Sequence, residues 1–162
     1  VANYFIHFSE KLVGLTEEEA HWLELMSNLA SDRDVDLKEN DDRQHFSDEG
    51  EPLTEEAKLA EVLFRHDEPI INAKLSKEGD AWEVWFYSEE SNDPNAVGML
   101  VQAFFQKFRA DGDDVFTLTW ADYCGKLRIG EFGGGAMAVN KSHILIENVY
   151  ETLEGLKEKL GS

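Results

Sequence analysis

Between residues 81 and 108 the apolar residues change period. From Trp82 to Tyr87 they alternate, with Trp82, Val84 and Phe86 on one side and Glu83, Trp85 and Tyr87 on the other. That is the period of a strand. Further on, Val97, Leu100, Val101, Phe104, Phe105 and Phe108 fall at i, i+3, i+4, i+7, i+8 and i+11. Only a helix gathers that set on one face. Asp93-Pro94 supplies its N-cap and first helical residue, and Asp111-Gly112-Asp113-Asp114 ends it. A strand followed at once by an apolar-striped helix requires a sheet with a helix laid on it.

The rest of the chain extends this pattern. Residues 3–9 alternate, with Tyr4, Ile6 and Phe8 opposite Phe5 and His7. Thr16 and Glu19 have the spacing of a capping box, and Glu17, Glu18 and Glu19 suit the positive end of a helix dipole. Leu23, Met26, Leu29 and Ala30 form the stripe of that helix. A short helix is expected over 55–65. A strand near 70–76 should turn at Gly79-Asp80 into the 81–87 strand. Further strands are expected at 115–120, 136–140 and 143–147. A final helix over 148–160 places Val149, Leu153, Leu156 and Leu160 on one face. The order predicts one α+β domain over 1–162. Its expected arrangement is ferredoxin-like (split βαβ), an antiparallel sheet with helices on one face, plus a C-terminal β-hairpin and helix. The hairpin either extends the sheet or closes over its open face.

Charge bears on function more than on fold. The chain carries 34 Asp+Glu against 15 Lys+Arg, a net of -19. Residues 32–68 hold 14 acidic and 5 basic side chains, so nearly half the excess sits in under a quarter of the chain. Residues 31–56 have few large apolar side chains and read as a solvated acidic insertion that continues to about 66. Such a charge repels nucleic acid and anionic lipid and attracts basic protein surfaces. No apolar run reaches the roughly 18 residues of a membrane span. The chain enters its first strand without a basic region and apolar stretch of signal-peptide type, so a cytoplasmic location is expected. A single cysteine, Cys124, rules out an intrachain disulfide.

Catalytic and metal motifs fail on their own chemistry. Asp32, Asp34 and Asp36 have the opening spacing of an EF-hand loop. Leu37 stands where the turn needs glycine, and Arg43 where the bidentate carboxylate belongs. Gly133-Gly134-Gly135 lacks the Lys-Ser/Thr and the following helix of a phosphate loop, so a tight turn or a close backbone approach is expected there. The five histidines are not at zinc spacing with one another or with Cys124. No metal and no cofactor is therefore expected. Cys124 as a nucleophile would need a base that the sequence does not identify, and a free cysteine more often acts as a small hydrophobe.

The densest polar run is Trp120-Ala-Asp122-Tyr123-Cys124-Gly-Lys-Leu-Arg128-Ile-Gly-Glu131-Phe132. Ser88-Glu-Glu-Ser91 before a helix, with Cys124-Gly-Lys-Leu-Arg-Ile-Gly-Glu-Phe-Gly-Gly-Gly-Ala136 some thirty residues later, resembles a group of small acidic bacterial and phage-encoded proteins of uncharacterised function. The resemblance covers about 81–147. It implies a ferredoxin-like α+β fold and no activity.

Three functional expectations follow. The first is a non-enzymatic module that binds a basic protein, as an inhibitor, an immunity-type partner or a nucleic-acid mimic. Its acidic face would be Asp32, Asp34, Asp36, Glu39, Asp41, Asp42, Asp48, Glu49 and Glu51. The second is a small-molecule-binding or enzymatic domain using the 120–135 loop and the open sheet face. Trp85, Tyr87, Trp120, Asp122, Tyr123, Cys124, Arg128 and Glu131 would line it. The third is a homodimer joined through Trp82, Trp85, Phe86, Tyr87 and Trp120.

Overall fold

A computed structural model describes residues 3–31, 43–64, 67–88 and 90–161. The elements run β1 (Tyr4–Leu15), α1 (Glu17–Ser31), α2 (Glu55–Phe64), β2 (Asn72–Glu78) and β3 (Ala81–Ser88). There follow α3 (Pro94–Phe108), β4 (Phe116–Cys124), β5 (Phe132–Val139), β6 (Ile144–Asn148) and α4 (Val149–Gly161). The fold is α+β: among the described residues, four helices and one open sheet of six strands in the order β2-β3-β1-β4-β5-β6. Every neighbouring pair of strands is antiparallel. The C-terminal hairpin β5–β6 extends the sheet past β4 and does not fold over its open face.

The sheet has two halves that share β1. Residues Phe8–Leu15 of β1 pair with β3, whereas only Tyr4–His7 pair with β4. Helix α1 lies against β2 and β3, α3 lies against β4, β5 and β6, and α2 packs on both helices. Period-two alternation turns Val84, Phe86, Phe116, Leu118, Met137 and Val139 towards the helices, where they are buried with Leu23, Met26, Leu100, Val101 and Phe104. Gly98 of α3 lets the helix come down onto Met137 and Val139, because a Cβ there would collide with the Met137 sulfur.

Local sequence rules set the helix ends. Thr16 and Glu19 close a reciprocal capping box: the Thr16 amide donates to Glu19 Oε2 at 2.8 Å, and the Glu19 amide to Thr16 Oγ1 at 3.2 Å. Asp93 caps α3 by accepting from the Asn95 amide at 2.8 Å, and Pro94 opens the helix. Arg109, just past α3, then joins the two halves. It donates to both carboxylate oxygens of Glu19 at 3.0 Å and to the Gly14 carbonyl at 3.3 Å.

One expectation changes. Residues 43–54, read as part of a solvated insertion, are anchored. Phe46 and His45 are buried, Phe46 bridges to Pro52, and His45 Nδ1 lies 2.7 Å from Thr54 Oγ1. One aromatic side chain fixes an otherwise acidic turn. Of the two alternatives expected for Gly133-Gly134-Gly135, the close backbone approach holds and the tight turn does not, since the run lies within β5. A Cβ at Gly135 would strike the Trp120 ring, and one at Gly134, whose φ is +151°, would strike the Trp120 carbonyl oxygen. The approach of β4 fills the space at Gly134 and, with the Glu147 carbonyl of β6, at Gly135, and the Tyr150 ring of α4 fills it at Gly133.

Candidate functional site

The expected pocket is divided by the sheet. Alternation along β4 places Trp120, Asp122 and Cys124 on the helix side with Leu118, and Thr119, Ala121 and Tyr123 on the open side. On β3, Trp85 and Tyr87 face the open side while Trp82 and Phe86 face the helices. Trp85, Tyr87 and Tyr123 therefore belong to one surface. Asp122, Cys124, Arg128 and Glu131 belong to another. The same division dissolves the five-aromatic patch expected for a dimer: Phe86 is fully buried and Trp82 and Trp120 pack against the core.

The open-side surface is a shallow depression of about 550 Å³ bordered by His7, Ser9, Trp85, Tyr87, Thr119, Trp120 and Ala121, so three of the expected pocket residues, Trp85, Tyr87 and Trp120, border it together. Trp85 and Tyr87 stack with ring centroids 4.2 Å apart, and Trp85 Nε1 donates to Ser9 Oγ at 2.8 Å. Tyr123 stacks on Phe5 at 5.3 Å and meets His7 edge-on, with its hydroxyl 3.2 Å from His7 Nδ1. These fixed rings give a rigid, partly polar floor. Beside them, Lys11 Nζ lies 2.5 Å from Glu83 Oε1, which also accepts from Ser76 Oγ at 2.8 Å. The Lys11 and Ser76 hydrogen bonds hold the Glu83 carboxyl below its ordinary range, and Glu83 in turn raises Lys11.

The helix-side cluster is held by pairing of Tyr4 with Cys124 across β1 and β4. Tyr4 donates its hydroxyl to Glu131 Oε1 at 2.7 Å. This bond draws the Glu131 carboxyl down against the opposing effect of burial, with the Cys124 thiol and the Arg128 charge adding to it. The same bond raises the Tyr4 phenol. Arg128 Nε stands 4.0 Å from Glu131 Oε2, and Tyr150 donates to the Gly130 carbonyl at 2.9 Å. These contacts tie down the 125–131 loop. Asp122 Oδ1 is buried without a hydrogen bond. Among the described residues, no group of three or more His, Cys, Asp and Glu side chains is gathered to hold a metal ion.

Of the expected acidic face, Asp32, Asp34, Asp36, Glu39, Asp41 and Asp42 lie outside the described residues. Asp48, Glu49 and Glu51 are exposed together on the turn anchored by Phe46. Ser47 Oγ accepts from the amides of Glu49 at 3.3 Å and Glu51 at 3.1 Å, and Gly50 takes the positive φ of +82° that the turn requires.

Four side chains escaped the sequence reading. His7 and Ser9 join the aromatic surface because β1 lies beside β3. Tyr4 and Tyr150 reach the loop from the two ends of the chain. Alternation gives the face of His7 and Tyr4, but only strand order shows which neighbours they meet. Among the described residues, no helix is long and apolar enough to cross a membrane. No protein-family model, curated protein or solved structure matches the chain.

Proposed function

We propose that this protein is a non-enzymatic acidic module that binds a basic protein surface. The observation that carries the reading is the net charge of -19. Part of that charge is displayed on built structure: the stapled turn holds Asp48, Glu49 and Glu51 outward, so their charge meets a partner at little ordering cost. A field of one sign speeds encounter with basic proteins and repels nucleic acid. Inhibitor, immunity-type and nucleic-acid-mimic roles all use this chemistry. The fold proposal is a ferredoxin-like unit made of β1, α1, β2, β3, α3 and β4, with an acidic insertion at about 31–66 and with β5, β6 and α4 appended. The order β2-β3-β1-β4 with antiparallel neighbours supports it.

The test is capture of basic proteins from lysate of the source cell, with elution by rising salt, using the native chain and a variant carrying Asp48→Lys, Glu49→Lys and Glu51→Lys. A stoichiometric basic partner that elutes at lower salt from the variant supports the reading. Retention of a partner at unchanged salt removes these three carboxylates from the interface.

The second reading, a small-molecule site, is favoured by the stacked Trp85–Tyr87 pair over the 550 Å³ depression. Planar aromatic ligands that quench tryptophan fluorescence in the native chain, but not in Trp85→Leu, would establish it.

A further inference from the structure

The sheet contains a fork. The β1–β4 ladder stops at His7–Ala121, although β1 continues to Leu15 and β4 begins at Phe116. Residues 8–15 and 116–120 thus run on without pairing with each other. The Ile6 amide donates to Glu90 on the β3 side, at 2.6 Å. By alternation, the amides of Ser9 and Lys11 point the other way, into the fork. There the Lys11 amide is taken by a carboxylate: Glu10 Oε1 accepts it at 2.9 Å. A flexible exposed side chain stands in for a strand carbonyl. An exposed β-edge is a template for another strand; among the described residues this one is met by that local contact at Lys11 and, farther along, by Arg109, which donates to the Gly14 carbonyl at 3.3 Å.

The fork is a groove with a solid floor. Phe8, Phe116 and Leu118 beneath it are buried, and the Phe86 and Phe116 rings meet with centroids 6.2 Å apart. The depression beside Trp85 and Tyr87 opens into it. At its wide end, Val13 and Val115 are exposed, 62% and 61%, on the two lips. Exposed carboxylates flank the fork: Glu10 at the Lys11 amide, and Asp111, Asp113 and Asp114 on the turn before β4, which Arg109 ties to Gly14 of β1. The nearby cations are engaged. Arg109 is held by Glu19 and lies 3.9 Å from Asp114; Lys141 donates to the Ala110 and Gly112 carbonyls; Lys11 is held by Glu83.

Building on the basic-partner reading, we propose that an extended Lys/Arg-rich segment of the partner docks in this fork as an added strand along β1. Its backbone carbonyl replaces the Glu10 carboxylate at the Lys11 amide. The released carboxylate and the three aspartates then meet its basic side chains, while Val13 and Val115 cover its apolar ones. A Lys or Arg segment matches a lip that is acidic with apolar points, and an acidic or neutral one does not.

The probe is an alternating Lys–Val peptide of about ten residues, the length of a long strand. Its control is the same peptide N-methylated at alternate residues, equal in charge but unable to complete a ladder. Binding is followed by Trp85 fluorescence and by amide hydrogen exchange of the full chain. The proposal expects protection of the Ser9 and Lys11 amides by the first peptide, and affinity at least about tenfold lower for the control, from the loss of two or more hydrogen bonds. It also expects weaker binding by Glu10→Arg, a surface change that leaves the β1–β3 ladder intact. Equal affinity of the two peptides, or protection confined to 43–56, overturns fork docking while the acidic-module reading stands. Binding of neither peptide, with basic proteins also ignored, overturns both. Concentration-dependent protection of Lys11 in the protein alone would instead make the occupant a second copy, and overturns the proposal as stated.

Discussion

Glu19 does three jobs with one carboxylate: it closes the capping box, meets Arg109 in a two-pronged pair, and sits almost wholly buried. Burial alone would raise its carboxyl. Hydrogen bonds from Arg109 and from the Thr16 amide outweigh it and hold the group below its ordinary range. A carboxyl depressed in the folded state contributes stability that is complete above its unfolded pKa, about 4.3, and is lost as pH falls through the folded value. The native chain should therefore lose stability in acid more steeply than Glu19→Gln does. At neutral pH, Glu19→Gln should cost roughly 1–3 kcal/mol, below the figure for a fully buried pair because Arg109 is partly exposed. Urea melts of both chains from neutral pH to acid check this, and parallel curves would show that Glu19 contributes nothing to the acid sensitivity. Because general repulsion among the carboxylates relaxes equally in both chains, the difference isolates this one group.

Among the elements, the clearest sequence signals gave the most secure structure. Helix α3 forms where its apolar period and its Asp93-Pro94 start place it, and the capping box starts α1 as expected. Strand limits were less legible. β1 runs on to Leu15 because β3 holds it, although Glu10, Val13 and Gly14 there are exposed and break the alternation. β5 begins at Phe132, four residues before the expected strand, because glycines carry no side-chain period. Their role shows only in what lies opposite. Gly134→Ala should destabilise the protein by more than about 2 kcal/mol, since its φ is strained for any L side chain and its Cβ meets the Trp120 carbonyl oxygen. Gly155→Ala, in α4 with open space around it, should be neutral or stabilising by up to about 1 kcal/mol. Thermal melts of the two variants make the comparison. Equal effects would contradict the close packing of β4 on β5.

At the scale of the whole molecule, composition announced the charge but not its setting. The candidate pocket was legible in part: Trp85, Tyr87 and Trp120 border one depression, but residues adjacent in sequence on β4, such as Asp122 and Tyr123, point to opposite faces of the sheet, so the full set does not share one place. The fork was invisible for a similar reason: nothing in the alternation of β1 says that its pairing with β4 ends at His7. What joins these features is an acidic body whose sheet leaves a strand edge open between carboxylates. The measurement that tests this most directly is the salt dependence of affinity for the captured basic partner, in the native chain and in the Asp48→Lys, Glu49→Lys, Glu51→Lys variant. The account predicts that affinity falls steeply with added salt and that the variant binds more weakly with a shallower slope. Tight binding that ignores salt in both chains would contradict it, and would leave the charge without a part in recognition.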